Sequence, residues 1–448
     1  MNRTLAALGL FFALAAGPVL AEAPPRFPPG NVWNKDITYA PLHPQSTAMI
    51  NAWVGLGGFG NGRMQIDFAM RIVRAPGGAP TRTIVAYPDA SEYYFPDCEA
   101  AGTAMPVPAN AMIEGSTNLT CDNAGEDCHL LVVQGNRLYE AYRANGSGAT
   151  GLQAQCLAIW KLDRVYPDNN RGEHCTSADA AGFPIAPLLF NADEVYAAMQ
   201  NINGDLGHAI RFILPNPRMA STVIDGDRYG YYVHPGSHAG GPTGPESTVP
   251  YGSRLRLRAN FPVNSYPPAA QVILRTMQRY GIVLADGGNI ALTAEDDVYT
   301  THKWAEIGIS SRVFDQAVPA SPVRAQDFAI IDTGARIVET WDCVRNIEPT
   351  APNRLVGTVT RQAGLPRLPQ IVGLTWQDGA AQVDVYRNGV LRATLANTHV
   401  WSDKAFAFNE NSASYLVCNA GTAVCSNAAV PAPTRTNDPP PPRPPSVY

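Results

Sequence analysis

Charge is scarce in this chain. Asp, Glu, Lys and Arg make up 16% of its 448 residues, the formal net charge is −5, and no basic run occurs. A surface that neutralises a phosphate backbone needs clustered Lys and Arg, so no nucleic-acid partner is expected, and an anionic polymer would receive no long-range attraction. Beyond the first 21 residues no apolar stretch approaches the ~20 residues that a bilayer-crossing helix needs, so no membrane span is expected. Several chemistries lack their signatures: there is no G-x-S-x-G elbow, no H-E-x-x-H helix, no C-x-x-C pair and no D-x-D-x-D-G calcium loop. A serine hydrolase, a zinc peptidase and an EF-hand-like site are therefore poor fits. Neither a metal nor a cofactor is expected.

Gly and Pro, by contrast, are plentiful at 39 each. Many turn formers with few charges point to short strands joined by tight loops rather than to helical bundles. Residues 1–21, MNRTLAALGLFFALAAGPVLA, combine Arg3, an apolar run from Leu5 to Ala16, the breaker Gly17-Pro18 and a small-residue end. That is the layout of a signal peptide, with a mature start at Glu22 and a secreted or periplasmic protein as the consequence. Eight cysteines fit an oxidising compartment. Local pairing predicts Cys121–Cys128, Cys156–Cys175 and Cys418–Cys425, which leaves Cys98 with Cys343.

The chain divides into a main domain (22–347), a Pro-containing linker (348–355), a small C-terminal module (356–430) and a polyproline tail (431–448). Strand patterns in the main domain fall at Met64–Ile72, Arg82–Tyr87, His129–Val133, Leu138–Tyr142, Leu157–Leu162, His208–Leu214, Arg254–Asn260 and Phe328–Asp332. Helices are predicted at Ala192–Asn201, with acids in its first turn, and at Ala269–Tyr280, between Pro267-Pro268 and Gly281. In the module, alternating Val383 and Val385, the turn Asn388-Gly389, then Tyr415 and Val417 give the period-2 pattern of a sandwich. The fold expected is mainly β: a large β-sandwich or jelly-roll-like domain with helical insertions, followed by a small immunoglobulin-like β-sandwich.

With its Tyr-x-Val-Cys ending at 415–418 and Cys-Ser-Asn at 425–427, the C-terminal stretch resembles the fibronectin type III-like modules that trail secreted bacterial hydrolases. That likeness implies an accessory role for the module. The main domain carries IEGS (113–116), TSADAAGFPIAPL (176–188), HAIRFILP (208–215) and RYGIVLADGG (279–288), and with these it resembles a family of exported bacterial proteins. The resemblance implies export and one main domain, and it brings no activity with it.

Candidate site residues come from the residues themselves. Glu140 shares a strand face with Leu138, where a carboxylate is costly unless paired or used; its plain alternative is a sheet-edge pair with Arg137 or Arg143. Glu114, beside Gly115, is a second candidate acid. Asp179 and Ser177 sit in a polar turn after Cys175, which either builds a site or only caps its own backbone. Asp286 ends a buried-looking strand before Gly287-Gly288, as a catalytic carboxylate or as a turn residue. His208, on one face with Ile210 and Phe212, is a candidate catalytic imidazole; Arg211 lies on the other face. His129, Arg211, Tyr232 and His234 are candidate substrate contacts. His234 and His238 are separated by Pro235-Gly236, which forbids the helix that would aim both at one metal. Glu295-Asp296-Asp297 reads as a solvated loop. Gly55-Leu56-Gly57-Gly58-Phe59-Gly60 matches G-x-G-x-x-G but precedes a strand, which excludes dinucleotide binding. Aromatics such as Tyr93, Tyr94, Tyr231, Tyr232 and Tyr251 suit a sugar face or a core equally well.

Two functions follow as expectations. One is an exported carbohydrate-active enzyme, a glycan hydrolase or lyase, using acidic residues with histidine assistance. The other is a non-catalytic exported protein that binds a glycan. In both, the partner is a polysaccharide or cell-wall polymer and the chain is a monomer.

Overall fold

The computed structural model of the chain describes residues 24–87, 93–121, 127–346, 352–360, 370–405, 413–421 and 424–431. The expected signal peptide, half of the expected linker (348–351) and the polyproline tail from residue 432 lie outside the described residues. The chain is mainly β, with several sheets and three α-helices among the described residues.

At the centre of the main body is a six-stranded sheet in the order Ile66–Met70, Leu292–Glu295, Ile210–Leu214, Ile282–Gly287, Arg254–Leu257, Phe328–Ile330. It is mixed: Ile66–Met70 runs parallel to Leu292–Glu295, Ile210–Leu214 runs parallel to Ile282–Gly287, and the other pairs are antiparallel. The helix Pro268–Arg279 forms where Pro occupies the first turn, and it buries Ala269, Ala270, Val272, Ile273, Leu274 and Met277. In the helix Ala192–Met199 the Asn191 side chain caps the Glu194 N–H at 2.9 Å. A third helix, Ser46–Gly55, has no counterpart among the sequence expectations. It lacks a side-chain cap and an acidic first turn, and only Met49, Ile50 and Trp53 mark its apolar face.

The predicted strand Met64–Ile72 is really two. It breaks at Arg71, and the continuation Ile72–Arg74 joins a second sheet with Leu130–Gln134, Arg137–Tyr142 and Cys156–Lys161. One chain segment thus passes from sheet to sheet, a common way to turn a corner in packed sheets. Each face of this second sheet is buried in a different core. Leu131, Leu138, Ala158 and Trp160 join the core of the central sheet, while Leu130, Val132, Tyr139, Ala141 and Leu157 pack with Ile84, Met105 and Leu152.

The acidic run at 295–297 is no solvated loop. Glu295 is buried, accepting from Asn191 Nδ2 at 2.9 Å and pairing with Arg74 at 3.5 Å, and Asp296 accepts from Arg71 Nε at 2.6 Å. These acids anchor the strand switch at Arg71 to the end of Leu292–Glu295.

The C-terminal part is a β-sandwich, as expected. Strands Asn353–Thr360, Gln370–Gln377 and Val400–Ala405 form one antiparallel sheet, and Val390–Ala396, Gln382–Arg387 and Tyr415–Asn419 form the other. Val372, Leu374 and Trp376 from the first meet Val383, Val385, Tyr415 and Val417 from the second in a separate core. Its first strand begins at Asn353, inside the span expected to be linker.

Four disulfides are present. Cys121–Cys128 and Cys418–Cys425 are the local pairs expected, but the other four cysteines pair as Cys98–Cys156 and Cys175–Cys343. Cys156 starts a strand of the second sheet, whereas Cys175 follows a two-stranded ladder, Gly172–Glu173 with Val344–Arg345, that already holds it beside Cys343. Strand pairing, not sequence proximity, selects the partners.

Candidate functional site

Three of the expected residues converge. Arg211 lies in the strand Ile210–Leu214, paired with Val283 on the parallel strand Ile282–Gly287. Strict alternation from Val283 would put Ala285 on the face of Arg211 and Asp286 on the other. The register instead shifts between Phe212 and Ile213, so that Ile213 pairs with Asp286. This bulge turns Asp286 onto the face of Arg211. Close approach keeps the following turn in place, because a Cβ at Gly60 would stand 2.0 Å from the Asn289 carbonyl oxygen. That is the work of the glycine-rich run 55–60, which meets backbone here.

Asp179 arrives from the loop after Cys175. Ser177 Oγ donates to the Phe183 carbonyl at 2.6 Å and accepts from the Asp179 N–H at 3.0 Å, and Asp179 Oδ1 accepts from the Ala181 N–H at 3.2 Å. The turn closes at Gly182 (φ +74°), where a Cβ would lie 2.1 Å from Ser237 Oγ. One Asp179 carboxylate oxygen thus caps the loop, as the turn reading expected, and the other is turned towards Arg211.

Arg211 binds both acids. Its Nη2 donates to Asp179 Oδ2 at 2.5 Å and lies 3.6 Å from Asp286 Oδ2, while Nη1 donates to Thr293 Oγ1 at 2.8 Å. The Asp179 side chain is wholly buried, but 22% of the Asp286 side chain is exposed. Burial pushes the Asp179 carboxyl up to about 7, helped by the Asp286 charge and opposed by Arg211. Asp286 is raised by burial too, against Arg211, the Gly287 N–H and His129, with Asp127 adding to the rise. Two carboxyls that interact through one guanidinium titrate as a coupled pair.

Above them opens a cavity of about 630 Å³. Tyr93, Tyr94, Phe95, Tyr142, Tyr251 and Trp341 supply aromatic walls, and Asp97, Asp127, Asp179 and Asp286 supply carboxylates. No Lys or Arg is among the described residues that line it. Tyr94 and Tyr142 stack at 6.2 Å, and residues Phe95 and Trp341 are 67% and 50% exposed. Tyr251 is fully buried, yet its hydroxyl has no hydrogen-bond partner among the described residues. Burial, then the charges of Asp286 and Asp179, push that phenol well above its ordinary value, so it stays protonated. His238, another cavity residue, donates from Nδ1 to the Ala180 carbonyl at 2.7 Å.

Glu114 and His129 lie behind this wall as an ion pair. Glu114 Oε2 accepts from the His129 backbone N–H at 3.0 Å and from Nδ1 at 2.7 Å, and Nε2 donates to the Ala178 carbonyl at 3.0 Å. Burial alone would lower His129, but Glu114 outweighs it and lifts the imidazole to about 9. An imidazolium with both N–H groups engaged supports the 176–182 loop from below and does not reach the cavity.

The remaining candidates sit elsewhere. Glu140 is in an interior strand of the second sheet, so neither Arg137 nor Arg143 pairs with it. Its Oε1 accepts from the Ile185 and Ala186 N–H groups, each at 2.8 Å, and Oε2 accepts from Trp160 Nε1 at 2.9 Å. It is wholly buried, lines no part of the cavity and stitches the sheet to the 183–186 loop. His208 is buried with Nε2 3.3 Å from Glu194, itself held by Arg26 at 2.8 Å. Tyr232 donates to Glu173 Oε1 at 2.6 Å, and His234 pairs with the same carboxylate at 3.1 Å, both outside the cavity. Among the described residues no group of three His, Cys, Asp or Glu is placed to hold a metal ion.

Sequence reasoning missed Trp341, Tyr142, Asp97 and Asp127. Trp341 has no local signal; it reaches the cavity because Cys343, two residues on, is bonded to Cys175. The chain matches no family model and no curated protein.

Proposed function

We propose that this cavity is the active site of an exported carbohydrate-active enzyme, a glycan hydrolase working by general acid and base catalysis. The observation that supports it most is the convergence of Asp179 and Asp286 on Arg211 beneath an aromatic-walled cavity. Asp286 is the working acid, because its carboxyl reaches the cavity and burial raises it above the ordinary carboxylate range. Asp179 and Arg211 are positioning residues that set its charge. Asp127 lines the same space and its charge is felt at Asp286, so it supplies the second carboxylate that glycoside hydrolysis requires. Among the described lining residues, four carboxylates without a Lys or Arg disfavour a uronic acid at the reacting position. That weighs for hydrolysis over the elimination a uronate-cleaving lyase performs. The four disulfides fit export, and no described helix is long and apolar enough to cross a membrane.

The test is release of reducing ends and of ultraviolet-absorbing unsaturated products from a polysaccharide panel, with Asp286→Asn and Asp127→Asn beside the parent. New reducing ends without unsaturated products, lost in both variants, are expected. A second reading, a glycan-binding protein, draws on the exposed rings of Phe95 and Trp341. No product from any polymer, together with retention on an insoluble glycan, would replace the first reading by the second.

A further inference from the structure

A short sheet beside the cavity carries further rings outside it. Strands Ser221–Ile224, Asp227–Tyr232 and Ile337–Val338 pair antiparallel, with Tyr229 opposite Thr222 and Tyr231 opposite Val338. Tyr229 and Tyr231 are two residues apart, so they share one face, and both are half-buried there. The other face rests on the loop that builds the cavity wall. A Cβ at Gly230 would stand 2.7 Å from Ala239 Cβ and 2.8 Å from Pro242 Cγ, and Gly240 and Gly241 line the cavity. Trp341 joins the two spaces: it lines the cavity, and its ring lies 5.3 Å from that of Tyr229 at an interplanar angle of 32°. It is held there against local preference. Its φ is +58°, where the Cβ of a bulky residue crowds the backbone, and half of the residue is left in water. A buried carboxylate enforces the position. Glu339 Oε1 accepts from the Trp341 N–H at 2.7 Å, and Oε2 accepts from the Ala239 N–H at 2.8 Å, which ties the exposed ring to the cavity wall. Backbone strain maintained in this way, on a residue left open to solvent, points to contact with a ligand.

We propose that Trp341 and Tyr229, continued by Tyr231, form an outer sugar subsite, and that its occupant is a neutral glycan chain whose next units leave the cavity along these rings. The inference rests on the glycan reading of the cavity given above. Flat rings with one open side offer an apolar surface to the face of a pyranose. A polyanion is disfavoured, because the adjoining cavity carries four carboxylates. Arg336, 5.7 Å from the Tyr231 ring centroid, donates from both Nη atoms to the carbonyls of Glu246 and Thr248. The chain is thus recognised over several units and not by its terminal unit alone.

Titration calorimetry of the full-length Asp286→Asn protein, which removes turnover, tests the subsite with neutral oligosaccharides of two to six units from the cello-, xylo-, manno- and malto-series. In one series affinity should rise with length, by about tenfold or more from its shortest to its longest member. Adding Tyr229→Ala should remove that rise and leave the shortest member's affinity unchanged, whereas adding Trp341→Ala should weaken every length. Both rings are open to solvent, so the melting temperature should hold in each. Length-dependent binding, lost in Tyr229→Ala, without reducing ends released by the parent would keep the subsite and replace the hydrolase reading by the glycan-binding one. Affinity independent of length, or a rise that survives Tyr229→Ala, would overturn the subsite; reducing ends released in that case would leave the hydrolase reading standing. Absence of binding in all four series would also overturn it.

Discussion

Glu140 and Asp179 are both wholly buried carboxyls, and burial pushes both up to about 7. Their surroundings differ. Three neutral N–H groups converge on Glu140, no second carboxyl meets it among the described residues, and it does not line the cavity above Asp286. Asp179 shares a guanidinium with Asp286, whose carboxyl reaches a cavity of about 630 Å³. A displaced pKa records burial. What marks a site is a second titratable group and room for a ligand, and only the Asp179 region has both.

The largest effect should separate the two carboxyls by activity. Asp286→Asn is expected to lower turnover on the responsive glycan by about 10²–10⁴-fold without changing the melting temperature, whereas Glu140→Gln should leave turnover per folded molecule intact. Equal turnover losses from both changes, measured on folded protein, would break the comparison. The same pair sets a pH dependence. Asp179 is raised from 3.8 to about 7, so the folded state holds a proton that the unfolded chain has released. Its contribution to stability is full below about 4 and is lost as pH rises through about 7. The urea midpoint should therefore fall from pH 5 to pH 8, with a shallower slope in Asp179→Asn.

Next in size are the disulfides. Cys175–Cys343, separated by 168 residues, pins the Asp179 loop and the Trp341 strap together, and its removal should cost about 5 kcal/mol by chain entropy. Cys121–Cys128, separated by 7, should cost only about 2 kcal/mol. Denaturant midpoints of the paired Cys→Ser variants check this, and activity should fall more in the first. In the Glu140 region, Glu140→Gln turns an amide N–H towards backbone or Trp160 N–H donors and should cost about 1–3 kcal/mol. A melting curve suffices. Trp341→Ala should be the mildest change, raising KM no more than about tenfold with kcat unchanged.

The elements were more legible than the site. Local patterns located most strands of both sheets but not Leu292–Glu295, and Pro267-Pro268 with Gly281 framed the longest helix. Arg71 hid a change of sheet, since its neighbours keep an unbroken strand pattern while the pairing partners change. Glu140 drew attention for a sound reason, a carboxylate on an apolar face, but the partners that satisfy it are backbone N–H groups of residues 185 and 186, which no local pattern announces. Asp286 was visible as a strand-end acid before two glycines. That it turns towards Arg211 depends on a one-residue bulge, which alternation along a single strand cannot reveal.

By itself the sequence determined the mainly β architecture, the separate C-terminal sandwich and the short-range disulfides, because each depends on patterns spanning a few residues. Tertiary structure decided which acids meet and which cysteines pair across 168 residues. Those outcomes depend on strand order and register, which arise from packing between segments far apart in the chain.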